Sequence, residues 1–260
     1  MKNNLTEKDI ETLNKFGLEI NDKEKIFNIK KLNISNDEIK YIPTEFFKLI
    51  NLEELFIYCR SLRKLPKEIG NLTNLKELYI MSDDLTKLPK EIGNLTNLKE
   101  LYIDCKSLRK LPKEVGNLIN LKELSINRDD LTELPKEIGN LINLKKLYID
   151  CKSLRKLPED IKNLINLKRL KISCYDLELT RKIGNIINLE TLYIWSDVDG
   201  LIELPKEIGN LTNLKMLDIK CNNLKELPKE IYNLINLKAL YIMSDNLESF
   251  PDGIERLTNL

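Results

Sequence analysis

A sequence repeat of 23 residues recurs along almost the whole chain and restricts the folds that the chain can adopt. LPKEIGNLTNLKELYIMSDDLTK begins at Leu65, and nearly the same phrase begins again at Leu88. An apolar residue followed by Pro marks each unit from Ile42 to Phe250, with Thr after Leu179 as the exception. Successive marks lie 23 residues apart, except for steps of 22 and then 25 on the two sides of Leu179. A period of this length is typical of arrays in which each unit stacks on the next.

The apolar residues inside each unit follow the pattern L-x-x-L-x-I-x-x-x-x-L. In the unit that starts at Leu75, the alternation of period two predicts a short strand with Leu78 and Ile80 pointing inward and Tyr79 pointing outward. Pro66 is expected in the first turn of a short helical or 3₁₀ return, where its missing N–H does no harm. A unit this short cannot bury its own apolar face, so the units must stack. The Asn before each strand, such as Asn74, is expected to bind backbone in a stacked turn.

The repeated LPxxIxxLxxL phrase resembles the 23-residue class of leucine-rich repeats over about residues 29–260. This class occurs in bacterial repeat proteins and in eukaryotic proteins that bind small GTPases. The resemblance implies an α/β fold: a curved solenoid with a parallel β-sheet on the concave face and short helical or 3₁₀ segments on the convex face. It also implies a role in protein recognition.

The chain departs from that family at the end of each strand. The family places Asn at the ninth position of the strand unit, but here only Asn222 does so. The eighth position is mostly small instead, in eight of the ten units, and it holds all five cysteines: Cys59, Ser82, Cys105, Cys151, Cys174, Ser196, Cys221 and Ser244. We expect these side chains to turn inward and replace the Asn that the family places at the ninth position. The alternative is a metal or redox row, which strand spacing disfavours because most of the cysteines lie on alternate strands.

The two ends of the chain differ from the repeats. We expect residues 1–28 to form an N-terminal helical cap and residues 29–260 to form ten strand units without a C-terminal cap. Thr6 is a helix-capping residue with Asp9 three positions later, which predicts a helix from about Glu7 to Phe16 over the first unit. The last unit is open, and an alternative function is therefore self-assembly through that C-terminal edge, giving a homo-oligomer.

Composition excludes several classes of function. Lys and Arg number 42 against 41 Asp and Glu, so no overall field favours nucleic acid or an anionic membrane. The chain has no His, which removes His-dependent nucleophiles and His-ligated metals, and it has no glycine-rich phosphate loop. We therefore expect no enzyme, no catalytic residues, no cofactor and no metal. An odd number of cysteines and no signal peptide favour the cytoplasm, with non-classical secretion left open.

The outward strand positions vary most between units and are therefore the expected binding surface. Tyr, Trp, Phe and Met concentrate there, and these residues are enriched at protein interfaces. We expect a partner-binding face with two patches. The first, contiguous patch is Phe56, Tyr58, Tyr79, Met81 and Tyr102, and the second is Tyr193 and Trp195. The same face also carries Tyr148, Tyr241 and Met243. The alternative interpretation is a ladder of rings that only stabilises the sheet.

Two further features bear on partner choice. A column of lysines runs beside a column of glutamates from Glu54 to Glu123, and the glutamates give way to Lys146 and Arg169. This predicts a mixed half and a basic half that steer a partner into register. The lysines of the first column are Lys76, Lys99, Lys122, Lys145 and Lys168. The unit that contains Trp195 gains two residues, and we expect the loop over residues 197–200 to protrude as a contact surface.

Overall fold

The computed structural model describes residues 5–16, 28–127, 130–175, 179, 181–196 and 201–260. The loop over residues 197–200 that the sequence singles out lies outside these ranges.

Ten parallel strands, β1 to β10, form one sheet in the order in which they occur in the chain. Leu78 pairs with Leu101 and Tyr79 with Tyr102, so the repeat period is also the register of the sheet. The predicted solenoid with its parallel concave sheet is confirmed. The strands are Lys31–Ser35, Glu54–Tyr58, Glu77–Ser82, Glu100–Cys105, Glu123–Asn127, Lys146–Asp150, Arg169–Ser173, Thr191–Ser196, Met216–Cys221 and Ala239–Met243.

Short 3₁₀ segments return the chain along the convex side. Pro66 lies one residue before such a segment rather than inside it, and its carbonyl accepts a hydrogen bond from the Ile69 N–H at 3.2 Å. The fixed φ of Pro therefore prepares the entry to the turn. The segments are Thr44–Lys48, Lys67–Asn71, Lys90–Asn94, Lys113–Asn117, Lys136–Asn140, Glu159–Asn163, Arg181–Asn185, Lys206–Asn210, Lys229–Asn233 and Ile254–Arg256.

Glycines on the convex side let neighbouring 3₁₀ segments approach closely. A Cβ on Gly116 would lie 2.5 Å from the carbonyl oxygen of Glu137 in the next unit, which is closer than real Cβ contacts. Gly184, in the shortened unit, makes the same close approach to the carbonyl oxygen of Glu207. Lys162 occupies the equivalent position in its own unit, so the tight junction belongs to the units that carry Gly there.

The interior of the solenoid is a continuous stack of leucines and isoleucines. Leu78, Ile80 and their counterparts from β2 to β9 are almost completely buried, as the alternation predicts. The Asn residues before the strands form the predicted stack of turns, called here the Asn ladder: the side-chain amide of Asn74 donates to the carbonyl of Ile50 in the preceding unit at 3.0 Å. The same bond is made by Asn97, Asn120, Asn143, Asn166, Asn188, Asn213, Asn236 and Asn259.

The column of small residues at the eighth position turns inward, as expected. All five cysteines are buried, and none of them forms a disulfide within the described residues. The thiol of Cys59 lies 3.6 Å from the carbonyl oxygen of Ile34, and the hydroxyl of Ser82 donates to the carbonyl of Leu62 at 2.8 Å. Burial raises the pKa of the Cys174 thiol to about 12. These side chains satisfy backbone groups at the strand ends, where the family uses Asn.

An N-terminal helix, α1, covers the first unit over Glu7–Lys15 and ends one residue before the predicted limit. Thr6 caps it, and Lys48 of the first unit approaches the buried Asp9 with 2.7 Å between Nζ and Oδ1. Burial acts to raise the pKa of Asp9, but hydrogen bonds from Lys48 and Thr6 outweigh it and lower that pKa. Phe16 packs edge-on against Phe46 with ring centroids 5.5 Å apart. The helix is confirmed, whereas the domain boundary after residue 28 stays a prediction.

Candidate partner-binding face

The outward residues of the ten strands form three rows that run across the sheet from strand to strand. The central row brings together the residues that the alternation assigns to it, because each pairs in register with its counterpart on the next strand. From β1 to β10 the central row is Asn33, Phe56, Tyr79, Tyr102, Ser125, Tyr148, Lys171, Tyr193, Asp218 and Tyr241.

The first predicted patch forms a stack of aromatic rings on β2 to β4. The centroids of Phe56 and Tyr79 are 4.8 Å apart at 18°, and those of Tyr79 and Tyr102 are 5.7 Å apart at 27°. Tyr58 stacks beside Phe56 at 6.3 Å and pairs in register with Met81. The structure therefore brings all five residues together. Each side chain is half-buried, so part of every ring faces the concave side.

The second predicted patch is arranged differently. The rings of Tyr193 and Trp195 meet edge to face at 6.4 Å and 83°. The ammonium of Lys171 lies 4.1 Å from the centroid of Trp195, and the indole N–H donates to the Asp218 carboxylate at 3.3 Å. The two aromatic residues are thus adjacent, but polar neighbours already occupy one face and the N–H edge of Trp195.

The three other predicted residues lie on the same face but outside these two patches. Tyr148 follows Ser125 in the central row, and Arg169 lies 3.5 Å from its hydroxyl. Tyr241 and Met243 lie on β10 with 58% and 61% of their surface exposed. Among the described residues, no ring contact joins Tyr148 or Tyr241 to either patch. Their assignment to a binding surface stays a prediction.

A row of four glutamates borders the aromatic stack at the beginning of the strands: Glu54, Glu77, Glu100 and Glu123. A lysine closes each end of this row, since Lys31 binds Glu54 at 2.6 Å and Lys146 binds Glu123 at 2.8 Å.

The negative charges inside the glutamate row are less compensated by neighbouring cations than those at its two ends. The hydroxyl of Tyr79 donates to Glu100 at 3.0 Å. Burial raises the pKa of Glu77, and the neighbouring Glu100 and Glu54 raise it further.

The charge of the face changes sign along the solenoid. The outward positions of β2 to β6 carry six carboxylates and one ammonium group, whereas those of β7 to β10 carry three basic groups and one carboxylate. A separate row of lysines lies just before the strands, where Lys76 pairs with Glu53 and Lys168 with Glu190. The strands themselves are therefore acidic in the first half, where the sequence predicts a mixed surface.

Sequence reasoning missed a notch in the middle of the face. Ser125 stands between Tyr102 and Tyr148 in the central row, and the missing ring leaves a depression of about 330 Å³. Asn127 and Asp150 line the same depression. The signal was present in the sequence, because Ser125 is the only residue without a ring among the five central residues from Phe56 to Tyr148.

Comparison with known proteins assigns the family. The sequence model of a protein family described as leucine-rich repeat region matches residues 9–130, 104–201 and 197–260. The chain therefore belongs to the leucine-rich repeat family, whose members generally serve as non-enzymatic scaffolds for protein–protein interaction. No curated protein is significantly similar in sequence. Within the described ranges, no helix has both the length and the apolar character needed to cross a bilayer.

Three solved structures illustrate the likeness. A leucine-rich repeat protein of Leptospira interrogans is 30% identical over 93% of this chain and 79% of its own, with a TM-score of 0.47. The plant peptide hormone receptor RGFR1, solved in complex with RGF2, is 28% identical over 88% of this chain and 42% of its own, with a TM-score of 0.66. The leucine-rich repeat domain of the type III effector XopL is 25% identical over 84% and 76%, with a TM-score of 0.62.

Proposed function

We propose that this chain is a non-catalytic recognition module whose concave aromatic face binds a protein partner. The observation that carries the proposal is the half-exposed stack of Phe56, Tyr79 and Tyr102. The inward leucines and isoleucines already form the core, so these rings are not needed to close it. Large, rigid aromatic side chains that keep an accessible face are typical anchors at protein interfaces.

The family assignment supports this proposal. Leucine-rich repeat proteins generally mediate protein–protein interaction, and RGFR1 is a peptide hormone receptor captured with RGF2. The remaining members of the proposed face are Tyr58, Met81, Tyr148, Tyr193, Trp195, Tyr241 and Met243.

The test compares alanine variants on the two faces of the solenoid. Tyr79→Ala and Tyr102→Ala remove concave rings, whereas Ile142→Ala removes a side chain that is 50% exposed beyond the 3₁₀ segment. Affinity capture from native lysate with wild-type protein identifies the partner, and calorimetry with the purified partner then measures each variant. We expect a loss of at least about tenfold for either tyrosine variant and no change for Ile142→Ala.

The proposal fails if the same partner binds both tyrosine variants with wild-type affinity while circular dichroism shows an intact fold. A ladder that only stabilises the sheet gives that result, because its removal lowers the free energy of unfolding without touching the interface.

Self-association through the last unit stays a prediction. Leu240 and Ile242 on β10 are only partly buried, whereas Leu217 and Ile219 on β9 are fully buried. Light scattering that gives a monomer mass at all concentrations would reject it. Association that survives Tyr79→Ala and Tyr102→Ala would separate this property from partner recognition.

A further inference from the structure

The notch at Ser125 lies at the centre of a three-by-three grid of outward side chains. The register places Tyr102 on one side of Ser125 and Tyr148 on the other. Glu123 precedes Ser125 on β5 and Asn127 follows it. The corners of the grid are Glu100, Asp104, Lys146 and Asp150.

The shape of the notch fits one flat group. Rings on adjacent strands of the same row stack with centroids 4.8 Å and 5.7 Å apart. Two strand spacings separate Tyr102 from Tyr148, which amounts to about 10 Å. One planar group placed between the two rings would restore the interrupted stack. The volume of about 330 Å³ accommodates the end of one side chain but not a folded element.

The charge around the notch is negative. Four carboxylates surround Ser125, and the one basic side chain of the grid, Lys146, is already paired with Glu123. Lys171 of β7 also lines the notch, but its ammonium lies over Trp195 on the far side, and Arg169 lies at the hydroxyl of Tyr148. A cation that enters the notch therefore meets carboxylates that outnumber the local bases.

We propose that the Ser125 notch receives the guanidinium group of one arginine side chain presented by the protein partner; this inference rests on the proposed function. A guanidinium is planar and stacks on aromatic faces, and its fork of N–H donors binds carboxylates. Asp150, the amide oxygen of Asn127 and the hydroxyl of Ser125 supply acceptors at the floor and rim. A lysine ammonium cannot stack between two rings. An inserted phenyl ring would desolvate the carboxylates without pairing them.

The test uses short peptides as probes, independently of the natural partner. Three capped tripeptides, Gly-Arg-Gly, Gly-Lys-Gly and Gly-Phe-Gly, are titrated into the full chain, and the amide NMR shifts of Ser125 and Asn127 are followed. We expect saturable shifts with the arginine peptide and at least about fivefold weaker binding of the lysine and phenylalanine peptides.

Three variants locate the binding. Ser125→Tyr fills the missing rung and should abolish the shifts. Asn33→Tyr adds a tyrosine to the same row on β1, away from the notch, and should leave them unchanged. Asp150→Asn keeps the size of the side chain and should weaken arginine binding about two- to fivefold.

Equal binding of the arginine and lysine peptides would overturn the proposal, since the surface would then act only through its charge. Tighter binding of the phenylalanine peptide would also overturn it, as would wild-type binding by Ser125→Tyr or no binding of any peptide. The proposed function can survive each of these results: a partner lost in Tyr79→Ala but insensitive to Ser125→Tyr would retain recognition by the face and reject the notch.

Discussion

The stretch from β2 to β6 and the stretch from β7 to β10 share one interior but present different exteriors. Their inward leucines and isoleucines are equally buried up to β9. On the outside, the first stretch stacks Phe56, Tyr79 and Tyr102 beside a row of glutamates. The second stretch has no such run of rings within the described residues, and Lys171 and Asp218 flank its Trp195.

This difference separates what the fold requires from what it permits. Stacking of the units depends on the inward row and the Asn ladder, which hardly change from unit to unit, and on the glycine contacts of the units that carry Gly. The outward row changes freely because its described side chains stand outside the packed interior. Differences in that row between the two stretches are therefore where recognition can be encoded.

The largest expected effect tests whether the two stretches have equivalent interiors. Leu78→Ala on β3 and Leu192→Ala on β8 each remove a fully buried side chain, and each should lower the free energy of unfolding by about 3 kcal/mol. Urea unfolding followed by circular dichroism and by the fluorescence of Trp195 measures both. A much smaller cost for one of the two, or separate transitions for the two probes, would show that the stretches do not form one cooperative stack.

The next effect concerns the junctions between units. Gly116→Ala places a Cβ against the backbone of Glu137, so it should cost about 1–3 kcal/mol of unfolding free energy. Lys162→Ala is the matched control, because that position already carries a side chain, and it should change stability by less than about 0.5 kcal/mol. Thermal unfolding of the two variants side by side decides the matter; equal stability would contradict the tight glycine junction.

A smaller effect distinguishes the stacked rings from the edge-to-face pair. Tyr79 has ring contacts on both sides, whereas Tyr193 contacts one ring. Tyr79→Ala should therefore destabilise the chain by about 1–2 kcal/mol and Tyr193→Ala by about half as much. Tyr79→Phe controls for the hydroxyl that donates to Glu100, and it should retain most of the stacking contribution. A larger loss in Tyr193→Ala by urea unfolding would reverse this comparison.

The smallest expected effect compares how the charges of two glutamates, one from each stretch, change the stability of the fold. The pKa of Glu77 is raised by burial and by neighbouring carboxylates, so its charge destabilises the fold above that pKa. Hydrogen bonds from Lys168 and Lys215 lower the pKa of Glu190 to about 2, so its charge stabilises the fold. At pH 7 we expect Glu77→Gln to gain and Glu190→Gln to lose about 0.5 kcal/mol.

Acid titration of stability checks the signs. The benefit of Glu77→Gln should disappear as the pH falls below the ordinary glutamate pKa of 4.5, because the wild-type carboxyl is then protonated in both states. The penalty of Glu190→Gln should fade between pH 4.5 and about 2. Shifts of the same sign for both variants would show that their electrostatic environments do not differ.

The features that every unit repeats could be predicted from the sequence alone. Leu78 and Ile80 could be assigned to the inside because the same alternation occurs in each unit. The Asn and Cys columns could be assigned for the same reason. Repetition turned a weak local signal into a strong one.

Contacts that occur in only one place along the solenoid could not be predicted from the sequence. The approach of Lys171 to Trp195 joins residues 24 positions apart and depends on the rotamers of both side chains. The Ser125 notch depends on the spacing of rings in the neighbouring strands, which a row of letters does not contain. The acidic character of β2 to β6 became visible only when the lysines before the strands were separated from the outward positions.

The Asn ladder makes the joints between the regular 23-residue units interchangeable. Each amide reaches the carbonyl at the equivalent place in the preceding unit, so excising residues 88–110 as a block would join two ends that already fit the same joint. A gene for such a chain can gain or lose 23 codons by unequal recombination and still encode a sound protein. The concave face can thus gain or lose one strand at a time in evolution, so that it can acquire new ligands while the fold is kept.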